Sequence, residues 1–223
     1  MVTRFGFRIN KDPMSWATHF AGLLAAVAGT LYLVMWSIED PTKAGVMGFY
    51  GATLISVFLA SSAYHFFDFG ERWNLELRRL DHIAIYLLIA GSYAPAVVHL
   101  LRGWHRVAVI GVIALLCAIG IGTKIFWMHA PEWISVSIYL GIAWLGVIPA
   151  VEMIPQLTAW SASCLVFGGG AYTVGAVVFA REWPDPWPQV FGHHEIWHVF
   201  VLVGALGHFL FAASLLDVPI PAF

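Results

Sequence analysis

The chain has 223 residues, 60% of them hydrophobic and only 11% charged, with a formal net charge of −2. That is too little polar surface to cover a water-soluble globule of this size, so a bilayer is the implied solvent. No Lys/Arg-rich block offers nucleic acid an electrostatic footprint, which excludes nucleic-acid binding as a function class.

Arg4, Arg8 and Lys11 precede an apolar stretch that is longer than the roughly 7–15 residues of a signal-peptide core. The stretch predicts a first membrane-spanning helix that also serves as insertion signal. Spanning helices need roughly 20 mainly apolar residues. Such runs begin near Met14, Ala44, Leu80, Val107, Glu132, Leu157 and His194. Polar or proline-bearing breaks separate them at Glu39-Asp40-Pro41, Asp68 to Arg79, Arg102 to Arg106, His129-Ala130-Pro131, Pro149 to Pro155 and Arg181 to Pro188. The prediction is an all-α, seven-transmembrane-helix bundle, with residues 1–223 forming a single transmembrane domain of a multi-pass protein in a bacterial-type inner (cell) membrane. Small residues in Leu87-Leu88-Ile89-Ala90-Gly91 and in Phe167-Gly168-Gly169-Gly170-Ala171 let helix backbones approach closely. Cys117 and Cys164 lie inside apolar runs without C-x-x-C spacing and read as buried structural thiols. Trp104, Trp127, Trp133, Trp183 and Trp187 sit near span ends, as an interfacial aromatic belt does.

Orientation follows from Lys and Arg in short loops. With the N-terminus cytoplasmic, the inner segments hold Arg4, Arg8, Lys11, Arg72, Arg78, Arg79, Lys124 and Arg181, against Lys43, Arg102 and Arg106 outside. The expected C-terminus is therefore external. The end of span two and the starts of spans three and seven then share the cytoplasmic side.

Those three places hold the polar residues hardest to explain as packing. His194-Glu195-Ile196-Trp197-His198 sets two imidazoles at i and i+4 on one helical face, as two ligands of one tetrahedral ion require. His193, roughly 140° around the helix from His198, does not share that ion. Ser61-Ser62-Ala63-Tyr64-His65 supplies a third imidazole at the same depth, and Asp81-His82 opens span three with a carboxylate at the membrane boundary. Each residue alone has an ordinary explanation. The His pair can bond headgroups or water, and Asp81 can stabilise a helix N-terminus. Together at one depth, and costly there, they point to a metal site.

Three histidines with an open fourth position are the arrangement of a catalytic zinc rather than a structural one. Imidazole also suits iron, nickel and copper. Asp81 is placed to hydrogen-bond a water at the open position or take its proton, and Ser61 to orient a ligand or a substrate carbonyl. HExxH is also the helical signature of zinc proteases, with Glu195 as base. No later Asp-Gly ligand motif accompanies it, and Asp217 lies near the far end of span seven. His19, about a turn into span one, suits a supporting role at the same depth. His208, about 21 Å along the helix from His194 by helical rise, suits structural hydrogen bonding. His99, His105 and His129 read as interfacial.

Ser61 to His65, Asp81 to Pro95 and His194 to His198 resemble, in that order, the signatures of the hemolysin III branch of the progestin and adipoQ receptor family, related to the adiponectin receptors. Weaker similarity appears at Thr18-His19, Lys124 and Gly169 to Gly175. The resemblance implies seven helices and a cytoplasm-side zinc on His65, His194 and His198, with Ser61 and Asp81 beside it. For the receptor branch it also implies lipid amide hydrolysis of the ceramidase type. The short segment before span one departs from the receptors and points away from hormone reception. Glu195 is left as a second proton acceptor beside the metal. The expected function is zinc-dependent hydrolysis of a lipid amide or ester, with membrane lipids as substrate or ligand. The alternatives are a non-enzymatic regulator or sensor of membrane lipid state with structural zinc, and, ranked last, a hemolysin-type pore, since the spans lack the rows of charge that line a conduction path.

Overall fold

The structure is a computed structural model and describes residues 8–188 and 190–221. Arg4, one of the charges used for orientation, lies outside the described residues. Among the described residues eight helices follow in chain order: α1 (Pro13–Trp36), α2 (Pro41–Phe66), α3 (Glu71–Leu100), α4 (Gly103–Phe126), α5 (Glu132–Trp144), α6 (Val147–Met153), α7 (Ala159–Arg181) and α8 (His193–Ala213). A 3-10 turn, Ile154–Gln156, follows α6. Taken with α5 and α6 it forms the fifth of seven segments long and apolar enough to cross a membrane. The chain is an all-α, seven-span protein.

Local chemistry explains the helix boundaries. Pro13 and Pro41 occupy first-turn positions, where a missing N–H costs nothing. The Asp40 carboxylate accepts from the Thr42 and Lys43 N–H groups at 2.9 and 3.0 Å, so the expected Glu39-Asp40-Pro41 break is the cap of α2. Thr158 caps α7 by accepting from Ser161 N–H. Large apolar side chains such as Leu24, Leu31, Phe126 and Val166 stay exposed along the spans. In water that would be prohibitive; facing lipid it is the expected arrangement. The five tryptophans assigned to the belt are all exposed, and both cysteines are buried.

Two boundaries differ from expectation. Span three begins nine residues before Leu80, at Glu71, so the Asp68-to-Arg79 loop shrinks to residues 67–70. The segment Glu71–Arg79 is charged and fails an apolar-run criterion, yet its residues are good helix formers, and Arg79 pairs with Glu76 one turn back at 2.6 Å. Asp81 consequently lies in the third turn of α3 and is no helix-terminal carboxylate. The fifth span breaks at Leu145-Gly146, ahead of the Pro149-to-Pro155 segment. A helical proline clashes with the carbonyl four residues earlier, here that of Leu145. Tyr93 Oη lies 2.9 Å from the carbonyls of both Ile142 and Ala143 and shares its one proton between them, while Leu145 N–H closes the helix end on the Ile142 carbonyl at 3.2 Å.

Gly168 in α7 and Gly207 in α8 let the two helix backbones meet directly; a Cβ on Gly207 would lie 2.6 Å from Gly168 Cα. Gly169 and Gly170 have open space around their α-carbons, so only part of the expected small-residue run serves packing. Gly91 meets Thr53 of α2. His208 bonds the Gly204 carbonyl at 3.0 Å, as expected of a structural histidine. His99 departs from the interfacial reading: it is 1% exposed, with Nδ1 donating to the Pro95 carbonyl at 2.8 Å.

Two short strands, β1 (Arg8–Ile9) and β2 (Phe67–Asp68), pair antiparallel with Arg8 opposite Asp68. Asn10 and Asp12 continue the contact by donating their backbone N–H groups to the Phe66 and His65 carbonyls at 2.5 and 3.1 Å. This lays the entrance to α1 against the exit of α2. The polar residues of interest gather at this end of the bundle.

Candidate metal centre

His65 occupies the last turn of α2, while His194 and His198 occupy the first two turns of α8. The i, i+4 spacing puts the α8 pair on one face, with ring centroids 4.7 Å apart. His65 enters from the other helix at 5.1 Å from the His194 ring and 4.9 Å from the His198 ring. One nitrogen from each of the three lies within 4.8 Å of the others, so the group can hold a metal ion. His65 and His198 are each 3% exposed, and His194 is half-buried.

The donor set fits an imidazole-preferring ion. His65 Nε2 and His194 Nε2 are 3.3 Å apart. Two nitrogens at the zinc–nitrogen distance of about 2.0–2.1 Å, held on a tetrahedron, stand roughly 3.3–3.4 Å apart. The hydrogen bonds behind the rings set the tautomers. His65 Nδ1 donates to Asp12 Oδ2 at 2.9 Å, and His198 Nδ1 donates to the Ser15 carbonyl at 3.2 Å. Each of these rings therefore keeps an unprotonated Nε2 for an ion, the support a metal-binding histidine ordinarily has.

Asp12 was not among the residues singled out from the sequence. Asp-Pro at a helix entry reads as a cap, yet the Asp12 side chain makes no cap hydrogen bond and reaches His65 instead. Burial opposes ionisation of Asp12, but the hydrogen bond from His65 and the charge of Lys11 outweigh it and hold the carboxyl below its usual range. Asp12→Ala should lower zinc affinity roughly 10- to 100-fold, the usual cost of losing such an orienting partner. Competition against a calibrated chelator measures it; an unchanged affinity would remove Asp12 from the site.

Ser61 is one turn before His65 on α2 and 1% exposed. Its Oγ lies 2.7 Å from His19 Nδ1. Asp81 on α3 is half-buried beside Ser61 and within electrostatic reach of His65. α2 and α3 thus bring both candidate chemical residues to the side of the histidine group. His19 itself is 3% exposed and stacks on His198, with centroids 3.7 Å apart at 14°. The sequence placed His19 at the right depth; only the packing of α1 between α2 and α8 shows the contact.

Glu195 turns toward α1 and its own helix terminus. Ser15 Oγ donates to Oε1 at 2.7 Å, and Gly192 N–H donates to Oε2 at 2.8 Å. Both oxygens tie the start of α8 in place, an alternative to the protease-type base role. His193 stands outside the three-histidine group.

Fold and site together define a multi-pass integral membrane protein with a three-histidine cluster able to hold a metal ion. A family model described as Haemolysin-III related matches residues 7–209, and the chain belongs to that family. It is 31% identical to hemolysin-3 of Bacillus cereus over 92% of this chain and 91% of that protein. A hemolysin-3 homolog of Bacillus subtilis (strain 168) is 28% identical over 91% and 93%. An adiponectin receptor protein of Drosophila melanogaster is 25% identical over 91% of this chain, which spans 50% of that longer protein. The resemblance read from the three motifs is thereby shown: a hemolysin III branch related to the adiponectin receptors.

Proposed function

We propose that the protein is a zinc-dependent hydrolase acting on a lipid amide or ester that enters from the bilayer. The observation that carries this reading is the trio of imidazoles, two with Nδ1 already committed to oxygen acceptors, beside a serine and a carboxylate. His65, His194 and His198 would hold the ion, which supplies a Lewis acid for a carbonyl and acidifies water. Asp81 takes the proton from the attacking water and returns it to the leaving amine or alcohol. Ser61 positions that carboxylate. A serine has one O–H to give, so when it donates to Asp81 it accepts from His19 Nδ1–H, forming a chain from His19 through Ser61 to Asp81. Asp12 and the Ser15 carbonyl orient His65 and His198.

Lys11, Arg72, Arg78, Arg79, Lys124 and Arg181 lie at the site end of the bundle, against Lys43, Arg102 and Arg106 at the other. That bias supports a cytoplasmic N-terminus and a site in the inner leaflet.

The test is fatty-acid release from a panel of ceramide-like amides and phospholipid esters. Zinc-loaded protein should release product, a strong chelator should stop it, and added zinc should restore it. No zinc-dependent release across the panel would sink the hydrolase. One observation favours a second reading, a regulator with structural zinc: the ligands come from α2 and α8, so an ion would also tie two distant helices across α1. Chelation would then lower the melting temperature without any substrate being consumed.

A further inference from the structure

A second polar group lies inside the same end of the bundle, between α3, α4 and α5. Lys124, in the last turn of α4, is 3% exposed. Its Nζ donates to Ser135 Oγ at 2.5 Å and sits 5.8 Å from the centre of the Tyr139 ring. An ammonium has three donors and no acceptor. Among the described residues Ser135 is its one hydrogen-bond acceptor, and a hydroxyl carries no compensating charge. The neighbouring carboxylate, Glu132, is paired with Arg78 at 3.5 Å.

Two phenols complete the group. Tyr86 is 0% exposed; its Oη makes no bond of good hydrogen-bond geometry, and the hydroxyls of Thr123 and Tyr139 lie beside it. Its ring covers Gly120, one turn before Lys124, where a Cβ would overlap it. The Tyr139 ring lies 4.6 Å from that of Tyr86, and Tyr139 Oη is 3.4 Å from His82 Nδ1. His82 follows Asp81 in the chain, so this group hangs on the same turn of α3 that carries Asp81. A buried cation inside a membrane segment faces a partner or a polar path. Here the ammonium has donors to spare, and two phenols within about a helical turn of it can donate as well, the chemistry that receives an oxyanion. Phe126 and Trp127, 89% and 51% exposed, mark the end of α4 as headgroup level, so an oxyanion at this depth is carried by a lipid.

We infer that Lys124, Tyr86 and Tyr139 form a subsite for a lipid-borne oxyanion, either a headgroup phosphate or a fatty-acid carboxylate. It rests on the proposed hydrolysis only in making that lipid the substrate or product; binding itself needs neither zinc nor turnover.

The experiment uses metal-stripped full-length protein in a neutral detergent and follows melting by tryptophan fluorescence. The probes are dihexanoyl phosphatidylglycerol, decanoate and uncharged monodecanoylglycerol. At least one of the two anions should stabilise the wild type saturably, and monodecanoylglycerol should not. A response to phosphatidylglycerol alone assigns a headgroup phosphate, to decanoate alone a carboxylate, and to both a general oxyanion site. Lys124→Gln should weaken binding by about tenfold or more, the equivalent of one charge-assisted hydrogen bond. Lys124→Arg should restore it, and Tyr86→Phe should weaken it with the melting temperature unchanged. Equal stabilisation by the uncharged lipid, or wild-type affinity in Lys124→Gln, would overturn the proposal and leave Lys124 as a helix-terminal charge. Should Lys124→Gln fail to fold, wild-type affinity in Tyr86→Phe overturns it equally. Anion binding intact in protein that hydrolyses nothing would sink the hydrolase reading alone.

Discussion

Asp81→Asn should leave the protein folded and zinc-loaded while lowering lipid turnover by about 10²–10⁴-fold, the usual contribution of a positioned acid–base group. A carboxylate at a helix N-terminus serves the dipole, but α3 starts at Glu71 and places Asp81 in its third turn, beside Ser61 and within electrostatic reach of His65. Asparagine keeps the size and the acceptor oxygen that Ser61 meets, so packing survives. It cannot take a proton, so the chemistry does not. Zinc content and fatty-acid release, measured on the same preparation, separate the two effects. Full turnover in Asp81→Asn would assign the proton to another group. Loss of zinc would make Asp81 part of the metal's support.

His198→Ala and His193→Ala should fall on opposite sides. His198 is buried, belongs to the three-imidazole group, and has its Nδ1 proton committed to the Ser15 carbonyl. On the proposed centre its loss takes away one of the three nitrogens that would hold the ion, so zinc affinity should drop by more than the roughly 100-fold upper cost of losing an orienting partner. His193 is adjacent to His194 in sequence and points elsewhere on the helix; its replacement should leave zinc affinity unchanged. Chelator competition on both variants gives the comparison. Equal losses would mean that the start of α8 is simply sensitive to substitution, and equal retention that His198 is no ligand.

What could be read from the sequence was what membrane physics makes conspicuous. Seven apolar runs of spanning length identify themselves, because a bilayer admits few other solutions. His65, His194 and His198 stood out since imidazoles at membrane depth demand a reason, and the i, i+4 spacing put two of them on one face. Features set by tertiary contact were hidden. Asp12 looks like an N-cap beside a proline and is a partner of His65. The charged first turns of α3 fail an apolar criterion and are helical because propensity and the Glu76–Arg79 pair suffice. The pairing of His19 with Ser61 joins α1 to α2 across 42 residues of chain, a separation no local pattern encodes. One boundary was within reach: a proline breaks the turn four residues before itself, so Pro149 already pointed to Leu145.

The arrangement depends above all on imidazoles from α2 and α8 sharing one ion. Elemental analysis of purified wild type and His65→Ala, after identical removal of loose metal, addresses that directly, because His65 lies on a different helix from the other two histidines of the group. Equimolar zinc in the wild type and only background zinc in a folded His65→Ala protein is the expected result. Equal zinc in both, or none in either, would contradict a centre shared between the two helices.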